Sequence, residues 1–407
     1  MLALSALCTS AQALPGDTLG VYAGAGAPQR VATFEGQLGR EVSLVHDTFA
    51  KESWTALTDV GWWLSTWGAT KYAQRVVYTV PMLPNSGGTL ADGAAGAYNA
   101  HFRLLAQRLV AGGRGNATLR LGPEFNGNWF KWTIAVPNGG ANFAAYWRQI
   151  VTTMRSVPGA NFTFDWCPNG GSSYVNGQPL KAESAWPGDA YVDYVGADIY
   201  DQSWGAYRAD ASARWNEYLN APNGLRWHRD FAAAHGKRMT FPEWGIAQRT
   251  DGYGGGDSPY FIERMYEWIR TNNVAFHMYF EYADSVADYA IFGGGTPNAA
   301  RRFVELFGAG ATATTSLAAP TVAAAAATTD AAAKKKAAKK KAAKKKAAPK
   351  KRCVTRAVRK KSGKALRRNG KVVRKTTCVK IERVGKRASS TKVKRTAARA
   401  KPTAKRT

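Results

Sequence analysis

The chain has 407 residues, with 57 Lys and Arg against 28 Asp and Glu, a formal net charge of +29. That charge sits at one end: residues 311–407 hold 33 basic and 2 acidic residues, whereas residues 1–310 hold 24 and 26. Every Trp, Tyr and Phe also precedes position 311, so the first part can bury a large core and the last cannot, which excludes a uniformly basic nucleic-acid-binding protein and a wholly disordered chain.

Residues 2–8 form an apolar run, and Ala11-Gln12-Ala13 has the small-x-small form of a signal-peptidase site. Residues 1–14 are therefore expected to be a signal peptide, and the protein to be secreted or associated with the cell surface. No basic residue precedes the run, so a shortened start or a buried N-terminal segment is the alternative. The run is too short to span a bilayer and no other approaches about 20 apolar residues, so no transmembrane segment is expected.

Residues 15–310 alternate short β-branched or aromatic runs with longer amphipathic stretches. Eight runs have strand character: 20–23, 42–46, 75–80, 118–122, 161–166, 192–200, 238–243 and 275–280. The stretches 97–110 and 260–269 repeat apolar residues every three or four positions, as helices do. Eight strands with helices between them predict an α/β fold, a single (β/α)8 TIM barrel over 15–310, with its chemistry at the C-terminal ends of the strands.

After Gly310 the composition turns to Ala, Thr and Pro, then to blocks of three Lys and two Ala repeating every five residues. Residues 311–349 read as a solvated Ala/Lys-rich linker, because Lys at this density repels itself. Residues 350–407 read as a basic, largely disordered tail in which Asn369-Gly370 signals a hairpin that a Cys353–Cys378 disulfide could close. The tail suits an anionic cell-surface polymer or another polyanion, or is simply a charged extension. It has no aromatic residue to stack on bases, so no specific nucleic acid is expected.

The sharpest local signal is Arg120-Leu-Gly-Pro-Glu124-Phe-Asn126-Gly-Asn-Trp129-Phe-Lys-Trp132, closing strand four. Alternation would place Arg120, Gly122 and Glu124 on one face, toward the barrel axis. The second signal is Thr240-Phe-Pro-Glu243-Trp244-Gly245, closing strand seven. Two carboxylates at one barrel mouth, ringed by Trp and Tyr, suit glycoside hydrolysis: one donates a proton to the leaving oxygen while the other attacks the anomeric carbon or activates a water.

These motifs, with the stretch Pro187-Gly-Asp-Ala-Tyr-Val-Asp193-Tyr-Val-Gly-Ala-Asp198-Ile-Tyr200-Asp201, resemble the mannanase-type glycoside hydrolase family 26 over about residues 15–310. The resemblance implies a retaining barrel in which Glu124 is the acid/base and Glu243 the nucleophile. It also implies that Tyr200 hydrogen-bonds the nucleophile and that Trp129 and Trp132 stack on sugar. Tyr279 is the strand-eight aromatic by parity. Many members carry His before the acid/base Glu, where this chain has Pro123, so β-mannan is one possible substrate among other β-glycans.

Arg120 reads either as a catalytic-site residue or as a buried ion-pair partner, and Asp198 and Asp201 either as sugar ligands or as loop caps. Asn126, Trp204 and Trp244 complete the expected substrate-binding set; Trp62, Trp63 and Trp67 read either as cleft wall or as core, with core preferred. His46, His235 and His277 have no metal-ligand spacing, so no metal and no cofactor is expected. Cys167 reads as a buried thiol, and the glycines at 252 and 254–256 as a mobile loop near the site. The expectation is a monomeric, secreted retaining hydrolase of a β-linked polysaccharide. The alternatives are a non-catalytic glycan-binding barrel anchored by its tail, and a polyanion-binding protein acting through that tail.

Overall fold

The eight runs form eight strands. The computed structural model describes residues 18–171, 174, 175, 177–205 and 209–309, together with 351–357, 367, 368, 371, 372 and 374–380 of the tail. The chain divides into two units, Met1–Leu317 and Ala318–Thr407. The expected signal peptide and the 311–349 linker fall outside the described residues.

In the first unit the barrel strands are β1 (Leu19–Tyr22), β2 (Leu44–Thr48), β3 (Val76–Val80), β4 (Thr118–Leu121), β5 (Thr163–Trp166), β6 (Tyr194–Asp201), β7 (Arg238–Ile246) and β8 (Val274–Phe280). All neighbours are parallel and consecutive, and β8 closes on β1 with Leu19 opposite His277 and Tyr22 opposite Phe280. The predicted α/β class and (β/α)8 barrel are thus present.

The strands are short and rich in Val, Leu, Phe and Tyr because a parallel barrel buries both of their faces. The helices are α1 (Pro28–Leu38), α2 (Trp54–Thr58), α3 (Gly61–Gly68), α4 (Leu90–Ala94), α5 (Asn99–Ala111), α6 (Gly139–Arg155), α7 (Ala211–Asn220), α8 (Leu225–Ala234), α9 (Pro259–Thr271) and α10 (Pro297–Phe307). α6 turns Phe143, Trp147, Ile150 and Met154 inward at helical spacing. α9 begins with Pro259 in its first turn, and the Ser258 hydroxyl accepts the Phe261 N–H, so two start signals coincide. α10 lays Phe303 and Phe307 on Trp244 of β7. Burying each such side chain contributes about 2–3 kcal/mol, which outweighs the modest helix propensity of aromatic residues.

The loop after β7, expected to be mobile, is tied to the barrel. The Ser203 N–H donates to the Tyr253 carbonyl (2.8 Å), Gly255 N–H to Asp201 O (2.7 Å) and Gly256 N–H to Ala247 O (3.0 Å). At Gly255 a Cβ would overlap the Asp201 carboxylate, which is already paired with buried Arg214. Glycine there allows a close backbone approach rather than motion.

In the second unit, β9 (Lys351–Ala357) and β10 (Arg374–Lys380) pair antiparallel, with Cys353 opposite Cys378. Residues 367 and 368 pair antiparallel with 371 and 372, the two strands flanking the Asn369-Gly370 signal.

Candidate active site

β4 ends at Leu121, so strand alternation does not carry Glu124 to the mouth; a turn does. Gly122 (φ +44°) has no room for a Cβ beside Met82, and Glu124 itself lies at φ +54°. A non-glycine residue in that region costs about 1–2 kcal/mol and persists only where its surroundings fix it. Here the Glu124 N–H donates to Cys167 O (2.8 Å), and the Glu124 carbonyl accepts from Gly127 N–H (2.8 Å). Trp132 Nε1 donates to Pro123 O (2.7 Å) and its buried ring stacks on Phe130. Asn126, also buried, clips this turn to the one after β5, donating to Asn169 O and accepting from Asn169 N–H, both at 2.8 Å.

From β4, Arg120 points inward as alternation predicts. It is 1% exposed, donates from Nη1 to Glu243 Oε1 (2.5 Å) and Thr79 Oγ1 (3.0 Å), and from Nη2 to the fully buried Asp198. Asp198 and Glu243 stand opposite each other across β6 and β7, just beyond a register shift, so one guanidinium serves both. Tyr200 donates its hydroxyl to Glu243 Oε2 (2.8 Å).

The two glutamates therefore differ electrostatically. Burial and then the Glu243 charge raise the Glu124 carboxyl to about 7, against the lowering pull of Arg120 and of the Trp129 Nε1 hydrogen bond (2.8 Å). Burial also raises Glu243, but Arg120 and the Tyr200 hydrogen bond more than offset it and hold that carboxyl below its ordinary value. His46, 3.9 Å from Glu243 Oε1, stays neutral, because burial lowers its pKa to about 3.

Both glutamates line a groove of about 1590 Å³ at the C-terminal mouth. Trp129, half exposed at 51%, and Phe130 are on its wall, as are Arg120, Trp132, Tyr200 and Trp204, the last 60% exposed and stacked on Tyr253. Asn126 and Asp198 lie behind the lining, buried, and act on residues that do line it.

Two residues of the expected sugar-binding set point away. Trp244 is fully buried against Phe303 and Phe307. Tyr279 is fully buried beside Trp244 and donates its hydroxyl to Tyr289 O (3.1 Å). The strand-eight aromatic on the groove is the next residue, Phe280, stacked on Tyr22, which also lines it. His277 and Tyr279 both pack on α10, through Phe307 and Phe303, so plain alternation along β8 leaves Phe280 on the groove side. Strand-end position, rather than motif, was the signal for Tyr22 and Phe280. Asp201 pairs with Arg214, and Trp67 is buried with its Nε1 on Asp47. No group of His, Cys, Asp or Glu able to hold a metal ion occurs among the described residues.

Fold, groove and carboxylate pair define the class, a barrel with glycosidase-like equipment. Sequence comparison narrows it: the model of Glycosyl hydrolase family 26 matches residues 116–236. Endoglucanase H of Acetivibrio thermocellus is 26% identical over 299 residues, 70% of this chain and 29% of that protein. A mannan endo-1,4-beta-mannosidase of Bifidobacterium adolescentis is 28% identical over 145 residues, 34% of this chain and 14% of that one. The chain thus spans under a third of the length of either curated relative. A Cellulomonas fimi endo-beta-1,4-mannanase double mutant shares the fold at TM-score 0.50 and 18% identity, covering 70% of each chain. Residues 116–236 are thus similar to Glycosyl hydrolase family 26, and the barrel is similar in fold to a mannanase.

Proposed function

We propose that the protein is a secreted retaining hydrolase of a β-linked polysaccharide, β-mannan or a related β-glycan, held near anionic surfaces by its tail. The observation that carries the catalytic reading is the split between the glutamates, one protonated up to about pH 7 and the other ionised between Arg120 and Tyr200. Glu124 gives its proton to the glycosidic oxygen while Glu243 attacks the anomeric carbon and forms a glycosyl ester. Glu124, now a base, takes a proton from the water that releases the sugar and restores Glu243. Trp129 ties platform to acid, since its exposed ring can lie against a sugar face while its Nε1 holds the carboxyl. The tail's reading rests on charge: 33 basic residues against 2 acidic bind polyanions by counterion release.

Replacing Glu124 separates the two chemical steps. Glu124→Ala should lower polymer hydrolysis by about 10²–10⁴-fold. An aryl glycoside whose leaving group needs no proton should still react in a burst and then stall at the glycosyl-enzyme. Loss of polymer and aryl glycoside cleavage to the same degree, with no burst, would contradict the acid/base role.

A further inference from the structure

The tail unit has chemistry that the groove does not use. Residues 351–380 contain 13 Lys and Arg and no Asp or Glu. In the register of β9 and β10, Lys351 stands opposite Lys380 and Arg356 opposite Lys375, like charges in directly opposed positions. Such pairs weaken a ribbon, and a two-stranded ribbon with little apolar content is marginal in water even without them. Something must favour the pairing.

The same register supplies it, because Cys353 stands opposite Cys378. Directly opposed residues of an antiparallel pair have Cα atoms about 4.5–5.5 Å apart. That lies within the roughly 4.4–6.8 Å that disulfides span. The inner pairing of Arg367 with Val372 and Arg368 with Lys371 falls between the two cysteines in sequence, so the chain reverses direction between the outer strands, in a register of its own.

We infer that Cys353 and Cys378 form an intramolecular disulfide that clamps the β9–β10 ribbon, so that the tail's hold on polyanions depends on redox state. Bond formation takes two protons and two electrons from the pair of thiols, and a disulfide donor accepts them and leaves as two thiols. The link closes 24 intervening residues, which removes many conformations from the unclamped chain and fixes the backbone positions of the basic residues in β9 and β10. The bond stands on register alone; the redox dependence also rests on the tail reading proposed above.

The test uses the full chain, purified without reductant, exposed to oxidised glutathione, alkylated during unfolding and digested with trypsin. The expected product is peptide 353–356 linked to peptide 376–380, separable by reduction, with Cys167 alkylated. Alkylated thiols at both positions, or linkage to Cys8, Cys167 or a second chain, would overturn the bond. Oxidised chain, reduced chain and a Cys353→Ser/Cys378→Ser variant carry the same charge, and each is then eluted from phosphocellulose by salt. The oxidised chain should elute at higher salt than the other two, which should coincide. Identical elution of all three would overturn the redox dependence. Failure of all three to bind would sink the tail-retention reading and the redox dependence with it, while the peptides still decide the bond.

Discussion

A single buried guanidinium organises the chemistry. Arg120 meets Glu243 and the fully buried Asp198 together, so the charge that holds the Glu243 carboxyl low is also tied to a second acidic side chain behind the groove. The site was legible at this scale where sequence motif and strand end coincide, as at Glu124, Glu243 and Tyr200. Trp244 and Tyr279 were misassigned, because strand alternation turns each toward the helices while its neighbour, Glu243 or Phe280, lines the groove. Trp129 offers a signed test. Its hydrogen bond favours the ionised form of Glu124, so Trp129→Phe, which keeps a ring, should raise that pKa from about 7. On the proposed mechanism the alkaline limb of kcat/KM would mark loss of the Glu124 proton and should move to higher pH, while the acid limb, assigned to Glu243, should stay in place. A pH profile shifted downward would contradict this assignment.

Each barrel element does a positioning task that its composition anticipates. The eight strand runs were legible because a parallel barrel demands apolar, β-branched segments between helical stretches, and no other periodicity competes with that pattern. The loops were less legible. Glycines at 252 and 254–256 suggested motion, yet three backbone hydrogen bonds tie that segment to Asp201, Ser203 and Ala247 at or just past the ends of β6 and β7, and Gly255 is needed where the chain passes the Asp201–Arg214 pair. Composition alone cannot separate a glycine kept for freedom from one kept for lack of a side chain. Gly255→Ala should therefore destabilise the barrel by about 1–3 kcal/mol through overpacking, read by chemical denaturation. A variant as stable as the parent would show that the loop has room to spare.

Across the whole molecule, two parts with opposite physics share one chain. The barrel carries the aromatic residues and nearly balanced charge; the last 97 residues carry the cations and no aromatic residue. That division was fully legible from composition, and the hairpin signal at Asn369-Gly370 was legible because only a few residue pairs suit a two-residue turn. Removing residues 311–407 should leave hydrolysis of small soluble substrates unchanged and lower retention on an anionic matrix, with the difference shrinking as salt rises. Equal retention at low salt would count against the anchoring role. The central claim, that the groove hydrolyses a β-glycan through Glu124 and Glu243, is tested most directly by release of new reducing ends. The full chain and a Glu243→Ala variant, both shown folded by circular dichroism, are compared on soluble mannans, xylans, mixed-linkage glucans and acidic exopolysaccharides. The account predicts activity on one polymer class that disappears in the variant; undiminished release by Glu243→Ala, or binding without cleavage by both proteins, would contradict it.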